Sequence, residues 1–269
     1  LMGVTDVIRG DDHLSNTPKQ IVLYDALGFK APKFYHVAMI NGEDGSKLSK
    51  RHGATDVMEY KRMGYLPEAL LNFLVRLGWS HGNDEIFSLD DMLKYFDPHD
   101  INKSSSTYNA SKLEWLNAHY IKTLPYERLA KEMLSFEIDF KAMPKGEVLL
   151  NSLRERSKTL VEMSQSARTI INAPSAYDEK AYAKFITPES KENLAKFAEI
   201  LGENLDAKGY EEMTGKFLEA NGLKLKDLAQ ALRVALTGNS VSPGIFEVLE
   251  VLGADETKKR IKNILKENK

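Results

Sequence analysis

The apolar run Phe34-Tyr35-His36-Val37-Ala38-Met39-Ile40 passes through a polar turn into the basic stretch Gly45-Ser46-Lys47-Leu48-Ser49-Lys50-Arg51-His52-Gly53. The apolar run predicts a buried strand. The two ammonium groups and the guanidinium that follow it repel one another, so they are stable either in water or around a polyanion. The flanking glycines let the backbone approach a ligand closely. The stretch therefore predicts either a loop that handles phosphate during phosphoryl or adenylyl transfer or an ordinary solvated surface loop.

A strand–helix–strand unit leads into this loop. Residues 4–9 are rich in β-branched side chains and run into the charged segment Arg9 to His13, which predicts a strand followed by a loop. Thr17 as N-cap residue and Pro18 at the first helical position predict a helix that ends at Gly28. The two strands should then be parallel, and ligands of such sheets bind beyond the carboxyl ends of the strands. We therefore expect Arg9 to His13 and the basic loop to face one crevice.

The hydrophobic period becomes helical after Gly53 and stays so. Trp79 and Trp115 are predicted to anchor cores, and Asn102 to Thr107 is predicted to be a polar loop. From Pro125 onward we expect only helices. The predicted helices cover residues 56–63, 67–77, 88–96, 111–122, 126–135, 145–155, 157–171, 188–201, 208–220, 224–237, 244–252 and 255–267.

Composition limits the classes of function. The chain has 269 residues, a formal net charge of -2 and no cysteine. Any nucleic-acid surface must therefore be a local patch, and disulfides and cysteine-based zinc sites are excluded. No apolar run reaches the roughly 18 residues of a membrane span, so a cytoplasmic protein without a membrane partner is expected. The chain opens at Leu1 and enters a strand-like run at once, which we interpret as a fragment.

Several ordered blocks of the sequence resemble bacterial glutamyl-tRNA synthetases, which are class I aminoacyl-tRNA synthetases. Lys47-Leu48-Ser49-Lys50-Arg51 resembles the class I Lys-Met-Ser-Lys-Ser signature, with Leu in its second position and Arg in its fifth. The other class I signature, His-Ile-Gly-His, is absent. The resemblance implies a C-terminal fragment that lacks the N-terminal half of the catalytic domain and is inactive alone. The further blocks that carry it are residues 7–18, 64–72, 77–80, 232–238 and 242–247.

The resemblance implies a mainly α fold with three parts. Residues 1–54 would be the C-terminal remnant of a Rossmann-type α/β catalytic domain, 55–123 a helical stem-contact connector, and 124–269 an all-helical anticodon-binding domain. The implied activity is that of the parent enzyme, ATP-dependent activation of L-glutamate and its transfer to tRNA-Glu, with tRNA-Gln left open as a second acceptor. ATP is expected as substrate with Mg²⁺, and no metal is expected to be bound by this chain itself. A monomer is expected.

The resemblance also assigns residues of the catalytic half. Arg9 would meet the substrate glutamate, because a planar guanidinium pairs with a carboxylate through two bonds; the alternative is a surface ion pair with Asp11 or Asp12. Lys50 would act on the ATP phosphates. It would be assisted by Lys47 and Ser49, with Arg51 serving phosphate or the tRNA backbone. The residues implied to line the remainder of the ATP pocket are Asp12, His13, Met39 and Ile40, of which the last two are equally consistent with a core strand.

In the helical half, the residues implied to contact tRNA at its anticodon are Arg154, Arg156, Ser242, Pro243, Gly244 and Ile245, with Arg233 as a weaker candidate. An arginine plane can stack on a base while its donors read the base edge. The alternative for the first two is an exposed helix face. Ser242 and Pro243 would equally suit an ordinary helix start.

Two other classes of function remain open. The chain could be a non-catalytic tRNA-binding module that holds the anticodon stem. It could also be an unrelated helical interaction protein with a chance basic loop. Within the family, the glutaminyl enzyme is disfavoured because it carries a β-barrel anticodon domain.

Overall fold

The structure is a computed structural model that describes residues 2–48 and 56–267. The chain divides into two compact units, Leu1–Tyr120 (unit 1) and Ile121–Lys269 (unit 2). The fold is mainly helical, as predicted. In the described part of the chain, no helix combines the length and apolarity that crossing a membrane requires.

Unit 1 begins with the predicted strand–helix–strand arrangement. Strand β1, Asp6–Gly10, pairs in parallel with β2, Lys33–Val37, and helix α1, Thr17–Ala26, lies between them in the chain. The prediction of Thr17 as N-cap is wrong, because Thr17 is the first residue of α1 and the residue before it makes no side-chain cap. Its hydroxyl contacts side chains of β1 and β2 instead.

The predicted strand over residues 34–40 is two strands. β2 ends at Val37, and β3, Ile40–Asn41, pairs in parallel with β4, Ser106–Thr107, in a separate sheet. The prediction of a polar loop over Asn102 to Thr107 is wrong at β4. A strand of two residues carries no measurable period, so a pattern of apolar residues cannot reveal it.

The helices of unit 1 follow the predicted order, and two of them begin at a side-chain cap. The Asp56 side chain accepts from the Met58 amide, and Ser88 forms a capping box with Asp91. Such caps satisfy amides that have no partner inside the helix. The helices are α2, Val57–Arg62; α3, Pro67–Gly78; α4, Leu89–Tyr95; and α5, Ala110–Thr123.

The two tryptophans differ in burial. Trp79 is 1% exposed and packs with Phe87 and Met92, as predicted. The prediction for Trp115 is wrong, since it is 48% exposed. Leu113 and Leu116 already fill the buried face of α5, and a residue between them on a 3.6-residue turn points away from that face. The exposed indole carries the Lys112 ammonium 4.4 Å from its ring centre.

Two buried amides fix the loops of unit 1. Asn117 Oδ1 accepts from the Leu66 amide at 2.8 Å, and its Nδ2 donates to the Gly64 carbonyl at 3.3 Å. Asn72 Oδ1 accepts from the Phe87 amide at 2.7 Å and from the Tyr120 hydroxyl at 2.9 Å. Both side chains are 0% exposed, and each bond replaces one that the loop backbone would otherwise make to water.

Every regular element in the described residues of unit 2 is helical, as predicted. The helix α9 was not predicted, because seven residues give barely two turns of pattern. Gly253 adopts a φ of 70° and interrupts α13, which confirms the predicted break. The helices are α6, Tyr126–Met133; α7, Gly146–Arg154; α8, Leu160–Ile171; α9, Glu179–Phe185; α10, Pro188–Ile200; α11, Ala207–Asn221; α12, Leu225–Thr237; and α13, Ile245–Lys266.

A buried arginine joins three of these helices. Arg260 of α13 is 1% exposed, and its Nη1 donates to the carbonyls of Ile170 at 2.9 Å and Leu236 at 2.7 Å. Its Nη2 donates to the Ile171 carbonyl at 3.2 Å and its Nε to the Glu256 carboxylate at 2.8 Å. The three carbonyls belong to the last turns of α8 and α12, whose acceptors have no partner within their own helix.

We expect Arg260→Met to lower the free energy of unfolding of unit 2 by about 3–5 kcal/mol, because it leaves the carbonyls of α8 and α12 without this donor and removes the shorter of two ion pairs of Glu256. Urea unfolding followed by circular dichroism measures this. Tryptophan emission, which reports only unit 1, should keep its midpoint. The matched control is Lys259→Met, whose side chain is 68% exposed and which should change stability by less than about 0.5 kcal/mol. Equal effects of the two substitutions would contradict the assigned role.

Candidate functional site

Unit 1 places Arg9 at the carboxyl end of β1, over the start of α1. Its Nη2 donates to Thr17 Oγ1 and to Gln20 Oε1, both at 2.8 Å, so its acceptors are neutral rather than the predicted alternative of Asp11 or Asp12. The guanidinium carbon lies 5.2 Å from the centre of the Phe34 ring. The Nε of Arg9 is buried and has no hydrogen-bond partner within residues 2–48 and 56–267.

Arg9 lines a cleft of about 340 Å³ between β1, β2 and α1. Apart from Arg9 and Gln20 the lining is apolar or aromatic. A guanidinium in such surroundings attracts anions strongly, because few polar neighbours compete for it. The other lining residues are Val7, Leu23, Tyr24, Leu27, Phe29 and Phe34.

The loops after β1 and β3 meet, although β3 belongs to a separate sheet from β1. Lys47 Nζ lies 3.6 Å from the Asp12 carboxylate. The base of the basic loop is ordered by an antiparallel bridge between Asn41 and Lys47 and by a 2.9 Å bond from the Leu48 amide to the Ile40 carbonyl. Both charged side chains are more than half exposed, so their mutual attraction is weak and exchangeable.

The other residues implied for the ATP pocket have these surroundings. His13 is exposed, and its Nδ1 lies 3.3 Å from the side-chain Nδ2 of Asn16. The carbonyl of Met39 accepts from the Ser106 amide at 3.3 Å, and that of Ile40 accepts from the Leu48 amide at 2.9 Å. Ser49, Lys50 and Arg51 lie outside the described residues.

Unit 2 contains a cleft of about 400 Å³ between the C-terminal end of α7, the helix α8 and the segment that precedes α13. It brings together three of the residues implied for anticodon contact, Arg156, Ser242 and Pro243. Arg156 is exposed, and its Nη1 donates to the Ser242 carbonyl at 3.2 Å. Val241, 80% exposed, adds an apolar side chain to the same rim.

A second arginine is hydrogen-bonded to the side chain of Ser242. Arg233 of α12 donates through Nε to Ser242 Oγ at 2.8 Å, and that hydroxyl donates to the Pro243 carbonyl at 2.9 Å. Burial lowers the pKa of Arg233, and the Arg156 guanidinium lowers it further. Arginine side chains keep their charge at neutral pH in proteins. Two like charges held on one serine make this part of the cleft electropositive.

Three of the residues implied for anticodon contact have other surroundings. Arg154 donates to the carbonyls of Ile121 and Leu124 and to Asn151, and burial lowers its pKa. Ile245 is 6% exposed and lies in the core. Gly244 occupies the N-cap position of α13, which begins at Ile245, so Ser242 is not the helix cap. The structure thus does not bring Arg154 and Ile245 to the cleft.

Sequence reasoning missed the polar face of α8 that forms one wall of the cleft. Its residues follow the spacing i, i+3, i+4 and i+7 of a single helix face, which is a signal that the sequence does contain. The cleft residues on this face are Glu162, Gln165, Ser166 and Thr169. With Arg156 they offer both donors and acceptors, which base edges require.

Two family models match the chain. Residues 91–265 match the anticodon binding domain, and residues 1–115 match the catalytic domain of class I tRNA synthetases (E and Q).

Curated relatives match over the whole chain. Glutamate–tRNA ligase 2 of Campylobacter curvus is 85% identical over 269 residues, and that of Campylobacter concisus is 81% identical; each alignment covers 100% of this chain and 59% of the relative. The chain therefore spans well under two thirds of the length of these relatives. A crystal structure of a glutamate tRNA ligase from Elizabethkingia meningosepticum, in complex with its amino acid, matches with a TM-score of 0.85 and 30% identity, covering 100% of this chain and 58% of that one.

The contacts of Arg154 and Arg156 predict that the same substitution changes stability by different amounts at the two positions. Arg154→Met should lower the free energy of unfolding of unit 2 by about 1–3 kcal/mol, because it leaves carbonyls at the end of α5 without a donor. Arg156→Met removes an exposed side chain and should change stability by less than about 0.5 kcal/mol. Urea unfolding followed by circular dichroism compares them. A larger loss for Arg156→Met than for Arg154→Met would contradict the assignment.

Proposed function

Because the chain belongs to the glutamate–tRNA ligase family and spans 59% of the length of its relatives, we propose that it serves an enzyme that attaches glutamate to tRNA-Glu at the expense of ATP, and that these 269 residues are inactive alone. In the first step a carboxylate oxygen of glutamate attacks the α-phosphorus of ATP and releases pyrophosphate. In the second a ribose hydroxyl at the 3′ end of tRNA attacks the carbonyl of the adenylate and releases AMP. The proposal rests on the cleft of unit 2, in which Arg156 meets Ser242 and Pro243 across 86 residues of sequence.

The cleft suits an unstacked base beside a phosphate. Arg156 is exposed and is held by one neutral carbonyl, so its plane and its remaining donors can serve a ligand. Pro243 and Val241 supply apolar contact for a base face, and the polar face of α8 supplies hydrogen-bond partners. The positive charge of Arg156 and Arg233 favours RNA over a neutral ligand.

Unit 1 would supply one side of the adenylation site. Arg9 would bind the carboxylate of glutamate in its cleft, and Asp12, His13, Met39 and Ile40 would border ATP. Lys47 would leave Asp12 to meet the phosphates, which as polyanions attract the ammonium more strongly than a single exposed carboxylate does. Lys50, with Ser49 and Arg51, would stabilise the charge that develops as pyrophosphate leaves.

Finer statements belong to the same proposal. Residues 1–54 would form the C-terminal part of a Rossmann-type catalytic domain, 55–123 the stem-contact connector and 124–269 the anticodon-binding domain. A cytoplasmic monomer that uses tRNA-Glu, and tRNA-Gln as a further candidate, is proposed. Mg²⁺ would accompany ATP. Among the described residues no three acidic or histidine side chains form a metal-binding group, so no residue is assigned to Mg²⁺.

The alternative is that this chain acts only as a tRNA-binding module, and the exposed Arg156 favours binding irrespective of catalysis. Pyrophosphate exchange with the 269-residue chain, glutamate and tRNA tests this alternative. Exchange well above background would exclude it and would also contradict the expectation that these residues are inactive alone. Filter binding that is equal for tRNA-Glu and an anticodon mutant would count against a module that reads the anticodon.

Anticodon reading is tested with Arg156→Gln. It should weaken binding of tRNA-Glu by roughly 5- to 100-fold, the cost of losing a base-reading arginine, and reduce the preference over a transcript with an altered anticodon. Filter binding at one fixed salt concentration measures both. The control Arg168→Gln removes the same charge from α8, where the guanidinium donates to the Phe136 carbonyl at 2.6 Å. It should lower both affinities slightly and equally. An unchanged preference in Arg156→Gln would refute anticodon reading by this residue.

A further inference from the structure

We propose that Gln20 is an exchangeable hydrogen-bond acceptor of Arg9 and that a carboxylate of the ligand displaces it. Thr17 is the acceptor that remains bound and orients the guanidinium. The inference rests on the proposed function, because it takes glutamate as the ligand. It adds two positioning residues to the cleft of unit 1 and an order of events in which a neutral acceptor leaves when a charged one arrives.

The donors of Arg9 can be accounted for one by one. Nη2 carries two hydrogens and faces two acceptors at 2.8 Å, Thr17 Oγ1 and Gln20 Oε1. A carboxylate can bind a guanidinium with two bonds either through Nε and Nη2 or through Nη1 and Nη2. Each arrangement needs a hydrogen of Nη2. A carboxylate therefore makes two bonds to Arg9 only after Thr17 or Gln20 has released this nitrogen.

Thr17 is the acceptor that stays. Its Oγ1 lies 2.9 Å from His36 Nε2 on β2, and His36 is the register partner of Arg9 in the parallel pair. The hydroxyl is thus held between two neighbouring strands by side chains from both. It also stands directly on the backbone of the first turn of α1, where only one side-chain torsion can move it.

Gln20 is the acceptor that can leave. It reaches Arg9 through three side-chain torsions and borders the cleft itself, so that rotation clears space for a ligand. Its amide oxygen is neutral, and a bond from a guanidinium to a carboxylate is about twice as strong as one between neutral groups. Exchange of one for the other is therefore favourable.

The buried Nε of Arg9 is independent support for a ligand. A buried donor without an acceptor costs free energy in the folded state, and nothing among the described residues accepts from this one. It belongs to the same edge of the guanidinium as Nη2. A carboxylate that takes the place of Gln20 can bond both atoms and remove this cost.

The experiment follows the Nε–H resonance of Arg9 in the ¹⁵N-labelled chain during titration with L-glutamate at constant ionic strength. Arg9→Lys assigns the resonance by its loss. Gln20→Met keeps the length of the side chain but removes the acceptor, and should bind glutamate at least threefold more tightly. Gln20→Glu supplies an internal carboxylate at the same length. It should shift the resonance before any ligand is added and weaken glutamate binding at least tenfold.

Thr17 is tested in the same titration. Thr17→Ser keeps the hydroxyl and should retain the glutamate-dependent shift. Thr17→Val removes the hydroxyl and should weaken glutamate binding at least tenfold. If Thr17→Val does not fold, as judged by circular dichroism, the Gln20 pair decides alone. A glutamate-dependent shift that is equal in wild type, Gln20→Met and Gln20→Glu would overturn the exchange and leave the proposed function standing. A resonance that ignores glutamate in every variant would overturn the assignment of glutamate to Arg9 together with this inference.

Discussion

The fold of unit 2 depends on one guanidinium that has no contact with solvent. Arg260 donates hydrogen bonds to carbonyls at the ends of α8 and α12. Both helices contact the cleft residues, α8 through its polar face and α12 through Arg233. Burying a charge costs several kilocalories per mole unless its donors are satisfied. Here the carbonyl acceptors are groups that helix ends leave without a partner inside the helix. The same hydrogen bonds therefore satisfy both the buried guanidinium and the carbonyls.

The arginines of the chain can be ordered by how many of their donors internal acceptors use. Arg260 and Arg154 bond several carbonyls each, so a ligand could recruit them only by leaving those carbonyls unsatisfied. In the part of the chain that the structure describes, Arg156 makes one bond to a carbonyl, and the buried Nε of Arg9 has no partner. The first pair is structural and the second pair is available for binding. Sequence cannot draw this distinction, because Arg154 and Arg156 stand two residues apart in the same charged run.

The parts of the fold that sequence predicts are those with a repeated pattern or a cap. Ser88 with Asp91 and the break at Gly253 mark helix ends through local chemistry, and these predictions are confirmed. The strand β4 was not predicted, because two residues show no period. The prediction that Trp115 anchors a core is wrong, because a large apolar residue does not always face the core. Contacts between distant residues are harder still. The bond between Arg156 and Ser242 spans 86 residues, and resemblance rather than pattern nominated both. The polar face of α8 was readable and was overlooked.

Both clefts hold a guanidinium with weak neutral acceptors. In unit 1 Arg9 donates to the hydroxyl of Thr17 and the side-chain amide of Gln20, and in unit 2 Arg156 donates to the carbonyl of Ser242. A fully free arginine would lose rotamer freedom on binding, which costs free energy. A neutral acceptor orients the side chain beforehand and, being weaker than a carboxylate or phosphate, yields to either. Gln20 and the Ser242 carbonyl differ in how they yield. Gln20 can rotate away, whereas a backbone carbonyl beside Pro243 cannot, so a ligand in unit 2 must use the donors of Arg156 that Ser242 does not occupy. In the proposed function the first arrangement would select for a charged ligand, and the second would leave a fixed donor pattern to select between bases.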